Sequence, residues 1–156
     1  MEFNDGSDDV QILIAEDSAT QAAQLVHLLE QHRYQVTAAR NGKEALALLQ
    51  GGMMPALVIT DVVMPEMDGY GLCRAMKDDQ RWKDIPVMLV TTLADAEDVI
   101  RGLECGADNF IRKPYNEKYL VARVEYLLMN VTIRRNQKVQ MGVEISLGNQ
   151  RHFITS

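Results

Sequence analysis

Four short apolar runs constrain this chain more than any other feature, because each ends in a residue suited to phosphoryl chemistry. Gln11-Ile12-Leu13-Ile14-Ala15 leads into Glu16-Asp17, and Ala56-Leu57-Val58-Ile59-Thr60 leads into Asp61. Val87-Met88-Leu89-Val90 leads into Thr91, and Asn109-Phe110-Ile111-Arg112 leads into Lys113-Pro114. A short apolar run bounded by turn signals marks a strand buried on both faces of a parallel sheet. Open α/β sheets bind ligands just beyond the carboxyl ends of their strands. If the four runs are neighbouring parallel strands, Glu16, Asp17, Asp61, Thr91 and Lys113 meet in one crevice. Three carboxylates, a hydroxyl and an ammonium in one place make a metal-plus-phosphoryl site.

Helical periodicity fills the gaps between the runs. Ser18 or Thr20 can cap a first helix whose Ala22, Leu25, Val26, Leu28 and Leu29 face inward. A weaker strand covers Tyr34 to Ala39, and Asn41-Gly42 forms a turn. A second helix from Lys43 to Gln50 turns Ala45, Leu46, Leu48 and Leu49 inward and stops at Gly51-Gly52. The loop from Val62 to Gly69 precedes a third helix, about Tyr70 to Asp78. A polar connector, Asp79 to Pro86, carries Trp82, and a fourth helix spans about Ala94 to Cys105. The last helix starts near Asn116 and carries Tyr119, Leu120, Val124, Leu127 and Leu128. Five alternations of strand and helix imply right-handed crossovers and a parallel sheet covered on both faces.

Composition removes several classes of function. The 156 residues suffice for one domain with a little left over. A net charge of −6 argues against a general nucleic-acid or anionic-membrane binder, since both require a basic surface. No apolar run approaches the roughly 20 residues needed to span a bilayer. The polar, acidic stretch from Met1 to Asp9 is unlike a secretory signal, so a cytoplasmic location is expected. Cys73 and Cys105 lack metal-type spacing and read as reduced, half-buried core thiols.

Asp61 is the candidate nucleophile, since a carboxylate can accept a phosphoryl group as an acyl phosphate. Taken alone, an aspartate at a strand end merely starts a turn. Glu16 and Asp17 are candidate metal holders, because a phosphoryl donor and a carboxylate repel unless a hard cation lies between them. Mg²⁺ takes oxygen ligands and keeps waters. Asp17, Asp61 and a backbone carbonyl of the following loop, that of Val63, would form its shell with Glu16 beside them. The alternative is that Glu16-Asp17-Ser18 simply caps the first helix. Lys113 is the candidate counter-charge, and a cis bond to Pro114 is expected to aim it at the site. Thr91 can hydrogen-bond a phosphoryl oxygen, although threonine is ordinary in strands. Phe110 lies three residues before Lys113 and faces opposite to Ile111, which core packing alone would explain.

Taken together, these residues resemble the receiver domain of bacterial two-component response regulators over roughly residues 9 to 131. The ordered set carries the resemblance: Glu16-Asp17, Asp61 with Met64-Pro65-Glu66-Met67-Asp68-Gly69, Thr91-Thr92, then Lys113-Pro114. It implies a flavodoxin-like sheet of strand order 2-1-3-4-5. It implies Mg²⁺-dependent transfer from a histidine-kinase phosphohistidine, or a phosphotransfer domain, to Asp61. It makes Thr91 and Phe110 a switch pair, with Phe110 standing where the family often has Tyr. A phosphoryl group adds about −1.5 to −2 charges, which would bias the face of the fourth helix, fifth strand and fifth helix. Two residues beyond Asp61 is Val63, and two beyond Thr91 is Leu93. Neither can orient an attacking water, so slow self-dephosphorylation is expected.

Residues 1 to 8 read as a frayed leader, and residues 132 to 156 as a helical extension with a small hairpin through Gly148-Asn149. This tail resembles linkers in hybrid histidine kinases, and the chain reads as part of something longer. A second copy would pair through the extended last helix or through the fourth and fifth helices. The rival class is a phosphatase or hydrolase using Asp61 as a transient nucleophile. It would want an acid two residues after the nucleophile, where Val63 stands. A flavodoxin-like cofactor binder is disfavoured by acidic loops that lack a Gly-rich cradle.

Overall fold

The computed structural model describes residues 10–93 and 95–130. The elements run β1 (Gln11–Ala15), α1 (Ala19–Gln31), β2 (Gln35–Ala39), α2 (Gly42–Gln50), β3 (Leu57–Thr60), α3 (Gly69–Lys77), β4 (Val87–Thr91), α4 (Ala96–Glu104) and β5 (Asn109–Arg112). A fifth helix, α5, covers 117–130. The five strands form one parallel sheet in the order β2-β1-β3-β4-β5. The α/β, flavodoxin-like topology read from the sequence is therefore the one observed.

Strand alternation divides the core into two layers. Leu13 and Ala15 of β1 face a cluster built with Ala45, Leu49, Leu72, Cys73 and Met76 of α2 and α3. Ile12 and Ile14 face the opposite cluster, which contains Leu25, Leu28 and Leu29 of α1 and Leu120, Val124 and Leu127 of α5. β5 splits in the same way: Phe110 packs on the α2–α3 side and Ile111 on the α1–α5 side.

Several local expectations change. Ser18, not Thr20, caps α1, because its Oγ accepts from the Gln21 N–H at 3.2 Å. Asn41 is the N-cap of α2 rather than a turn residue, its side chain accepting from the Glu44 N–H. Leu48 and Tyr119 lie on exposed flanks of their helices, since the sheet covers a narrower stripe than the apolar pattern supplies. Cys73 and Cys105 are fully rather than half-buried. Trp82 is buried too: the polar connector folds into turns that lay its ring under the core while Arg81 stacks 4.2 Å from the ring centroid. The leader, the continuation of the last helix beyond 130 and the expected hairpin lie outside the described residues.

Candidate functional site

The sheet register assembles the site. Ladder-like backbone bonds continue one residue past each strand: Glu16 N–H to the Ala39 carbonyl at 3.0 Å, Asp61 N–H to Ala15 at 2.9 Å, and Lys113 N–H to Thr91 at 2.9 Å. Segments far apart in sequence are thus held side by side at the carboxyl rim. The Lys113-Pro114 bond there is cis.

Lys113 Nζ donates to Glu16 Oε1 at 2.8 Å, Asp61 Oδ2 at 3.0 Å and Gln21 Oε1 at 2.5 Å. An ammonium has three N–H donors, so these acceptors account for all of them. Glu16 Oε2 accepts from the Ser18 N–H at 3.1 Å, and Asp61 Oδ1 accepts from the Val62 N–H at 2.6 Å. Side-chain exposures of 14%, 8% and 12% for Lys113, Glu16 and Asp61 mean that water screens these charges only partly. Burial pushes the Glu16 carboxyl above the ordinary carboxylate value, outweighing the bonds from Lys113 and Ser18 that favour its charged form. For Lys113, burial opposes the charge, but Glu16 and Asp61 overcome it and hold the ammonium above the ordinary lysine value.

Oxygens of Glu16, Asp17 and Asp61 lie within 4.8 Å of one another, and Asp17 is exposed. Lys113 pairs with only two of these three carboxylates, so negative charge is in excess and hard oxygen donors converge. That donor set suits Mg²⁺, which prefers carboxylates and retained water. The loop behind Asp61 is tightly seated. A Cβ on Gly69 would lie 2.1 Å from the Asp61 carbonyl oxygen, and the Gly69 N–H donates to the Val62 carbonyl at 2.9 Å. Within that loop, the Val63 side chain is 58% exposed and offers no polar group.

Beside Asp61 opens a cleft of about 440 Å³, lined by Glu16, Gln21, Thr92, Lys113 and Tyr115 among others. Thr91 sits buried at the end of β4, one residue in from that wall, where its Oγ1 accepts from the Leu93 N–H at 3.2 Å. Phe110 pairs in register with Leu89 and is partly buried below α4. A Cβ on Gly102 of α4 would meet the Phe110 ring at 3.1 Å, so the absence of a side chain there gives the ring its place. The structure thus gathers Glu16, Asp17, Asp61 and Lys113, and places Thr91 and Phe110 on the adjoining strands. Gln21 is a member of the site that the sequence reading missed. A glutamine in a first helical turn carries no signal of a partner 92 residues away.

Residues 12–125 match the family model of the response regulator receiver domain. The chain belongs to this family. The receiver domain of a signal transduction histidine kinase from Syntrophus aciditrophicus is similar in structure, with a TM-score of 0.74 and 51% identity over 78% of this chain and 92% of that one. A probable transcriptional regulator, ycf27, of Cyanophora paradoxa is 35% identical over 91% of this chain and 61% of its own length. Histidine kinase P4 of Formosa agariphila is 37% identical over 93% of this chain but only 10% of its own length. The chain therefore spans less than two thirds of these curated relatives. Receiver domains are signalling domains that work with a histidine kinase or phosphotransfer partner, and this receiver has relatives in response regulators and in histidine kinases. Among the described residues, no helix is long and apolar enough to cross a membrane.

Proposed function

We propose that Asp61 accepts a phosphoryl group from the phosphohistidine of a histidine kinase or phosphotransfer domain, and that the modified rim signals to a partner or attached domain. A carboxylate oxygen of Asp61 attacks phosphorus, the nitrogen–phosphorus bond breaks, and the imidazole leaves with the bonding pair. Lys113 counters the charge that builds on the phosphoryl oxygens. The hydroxyl of Thr91 then turns to a phosphoryl oxygen, and Phe110 moves into the space it leaves, altering the face of α4, β5 and α5. Glu16, Asp17 and Asp61, with the backbone carbonyl of Val63, would hold Mg²⁺, which supplies charge neutralisation between the two anions. On this reading residues 9–131 are the receiver unit, residues 132–156 connect it onward, the chain acts in the cytoplasm, and it is a switch rather than a turnover enzyme. Pairing of two copies would use the α4–α5 face, with no nucleic-acid contact by this chain.

The observation that carries the reading is the ammonium of Lys113 placed between Glu16 and Asp61 at 2.8 and 3.0 Å. Incubation with Mg²⁺ and acetyl phosphate is expected to add about 80 Da once, and Asp61→Asn is expected to abolish the addition. The adduct should persist, because neither Val63 nor Leu93 can orient water. Continuous phosphate release would favour the hydrolase instead, and an adduct surviving in Asp61→Asn would remove Asp61 from its role.

A further inference from the structure

Gln21 makes a contact for which phosphoryl acceptance, as described above, has no use. It stands in the first turn of α1, exposed, yet its Oε1 holds Lys113 Nζ at 2.5 Å. Its own N–H is tied to Ser18 Oγ at 3.2 Å, so the backbone carrying the side chain is fixed by the helix cap. Gln21 also lines the cleft that opens beside Asp61.

The three acceptors of Lys113 differ in kind. Glu16 and Asp61 are anions, and each must rearrange its charge contacts when a phosphoryl group arrives. Gln21 is neutral, and that event changes nothing about its amide. Two carboxylates alone leave the third N–H of the ammonium to water and its orientation between them unfixed. A neutral acceptor on the cleft side takes that third N–H without adding charge.

We propose that Gln21 is a positioning residue for phosphoryl transfer: its amide oxygen takes the third N–H of Lys113 and fixes the ammonium in its place between Glu16 and Asp61, where its charge meets the incoming phosphoryl oxygens. The proposal rests on Asp61 being the acceptor. Because Gln21 is exposed and outside both core clusters, its variants retain the fold.

The test uses Gln21→Met, which keeps the length but has no oxygen, and Gln21→Glu, which keeps an acceptor oxygen at the same reach. Two quantities are read in the full chain: the maximal rate of phosphorylation by acetyl phosphate with saturating Mg²⁺, and the NMR signal of the Lys113 ammonium protons, which survives only while they are held from water. Gln21→Met is expected to lose the signal and slow the maximal rate about three- to tenfold, with the half-saturating acetyl phosphate concentration unchanged. Gln21→Glu is expected to keep the signal. A lost signal at full rate would overturn the positioning role, as would a slowed rate with the signal intact. If the wild-type chain takes no phosphate while its signal still depends on Gln21, the acceptor reading fails and the anchor itself remains.

Discussion

Tyr70 joins α3 to α4 through a single hydroxyl, whose O–H donates to the Asp98 carbonyl at 2.9 Å while the Arg101 guanidinium lies 4.5 Å from its ring centroid. Burial pushes this phenol above its ordinary value of 10.0, with the nearby Asp98 acting in the same direction. The sign follows from linkage: the folded state keeps a proton that the unfolded chain has begun to lose. The stabilising contribution is therefore intact below about pH 10 and declines as pH rises through the raised folded value. Tyr70→Phe is expected to cost about 1 kcal/mol at neutral pH through the lost hydrogen bond. It should also flatten part of the alkaline decline, since phenylalanine has nothing to ionise. Urea denaturation of both proteins at neutral and strongly alkaline pH would check both effects.

At the scale of elements, the turn between β3 and α3 stores strain close to the acceptor. Glu66 has φ of 71°, and the Met67 N–H donates to the Pro65 carbonyl at 2.8 Å, two residues back. Such a γ-turn with positive φ is strained for a side chain with a Cβ. The side chain of Glu66 offers little in return, because its ion pair with Lys43 is 3.9 Å long and exposed. Glu66→Gly is expected to stabilise the protein by about 1 kcal/mol, read as a higher urea midpoint at an unchanged slope. The same loop shows why parts of the molecule were legible in sequence. Strand ends are readable because an apolar run must stop where burial stops, and that placed Asp61 and Lys113 at the rim. The Ser18 cap was readable up to a choice with Thr20, because capping chemistry is local. What stayed hidden depends on distant packing. Gly102 carries no local signal of its role, and only the Phe110 ring 3.1 Å from where its Cβ would lie gives it a purpose. Trp82 sat in a polar stretch, and its burial follows from a chain reversal that no periodicity encodes.

Across the whole molecule, charge is arranged differently at the two ends of the sheet. At the amino end, Lys77 Nζ donates to Asp108 Oδ2 at 3.0 Å and to the Ile85 carbonyl at 2.9 Å, while Asp108 Oδ2 also accepts from the Val87 N–H. That pair is satisfied and locks α3 to β4 and β5. At the carboxyl end, oxygens of Glu16, Asp17 and Asp61 crowd within 4.8 Å of one another, and Lys113 pairs with Glu16 and Asp61 among them. Repulsion at this rim opposes the fold, and a bound cation would relieve it only in the folded state, because only the sheet brings the three carboxylates together. Binding to the folded state alone stabilises by about 2.7 kcal/mol at a hundredfold excess over Kd. Mg²⁺ is therefore expected to raise the melting temperature in a saturating manner. A potassium salt at matched ionic strength should do far less, since screening alone is not saturable in that range. Asp17→Ala isolates the cause: Asp17 is exposed and outside both core clusters, so the variant folds, yet one hard oxygen donor is gone. Its melting temperature without Mg²⁺ should equal or exceed that of the wild type, because one repelling charge has left, while most of the Mg²⁺-dependent rise disappears. An equal rise in the variant and the wild type would place the cation elsewhere on the surface.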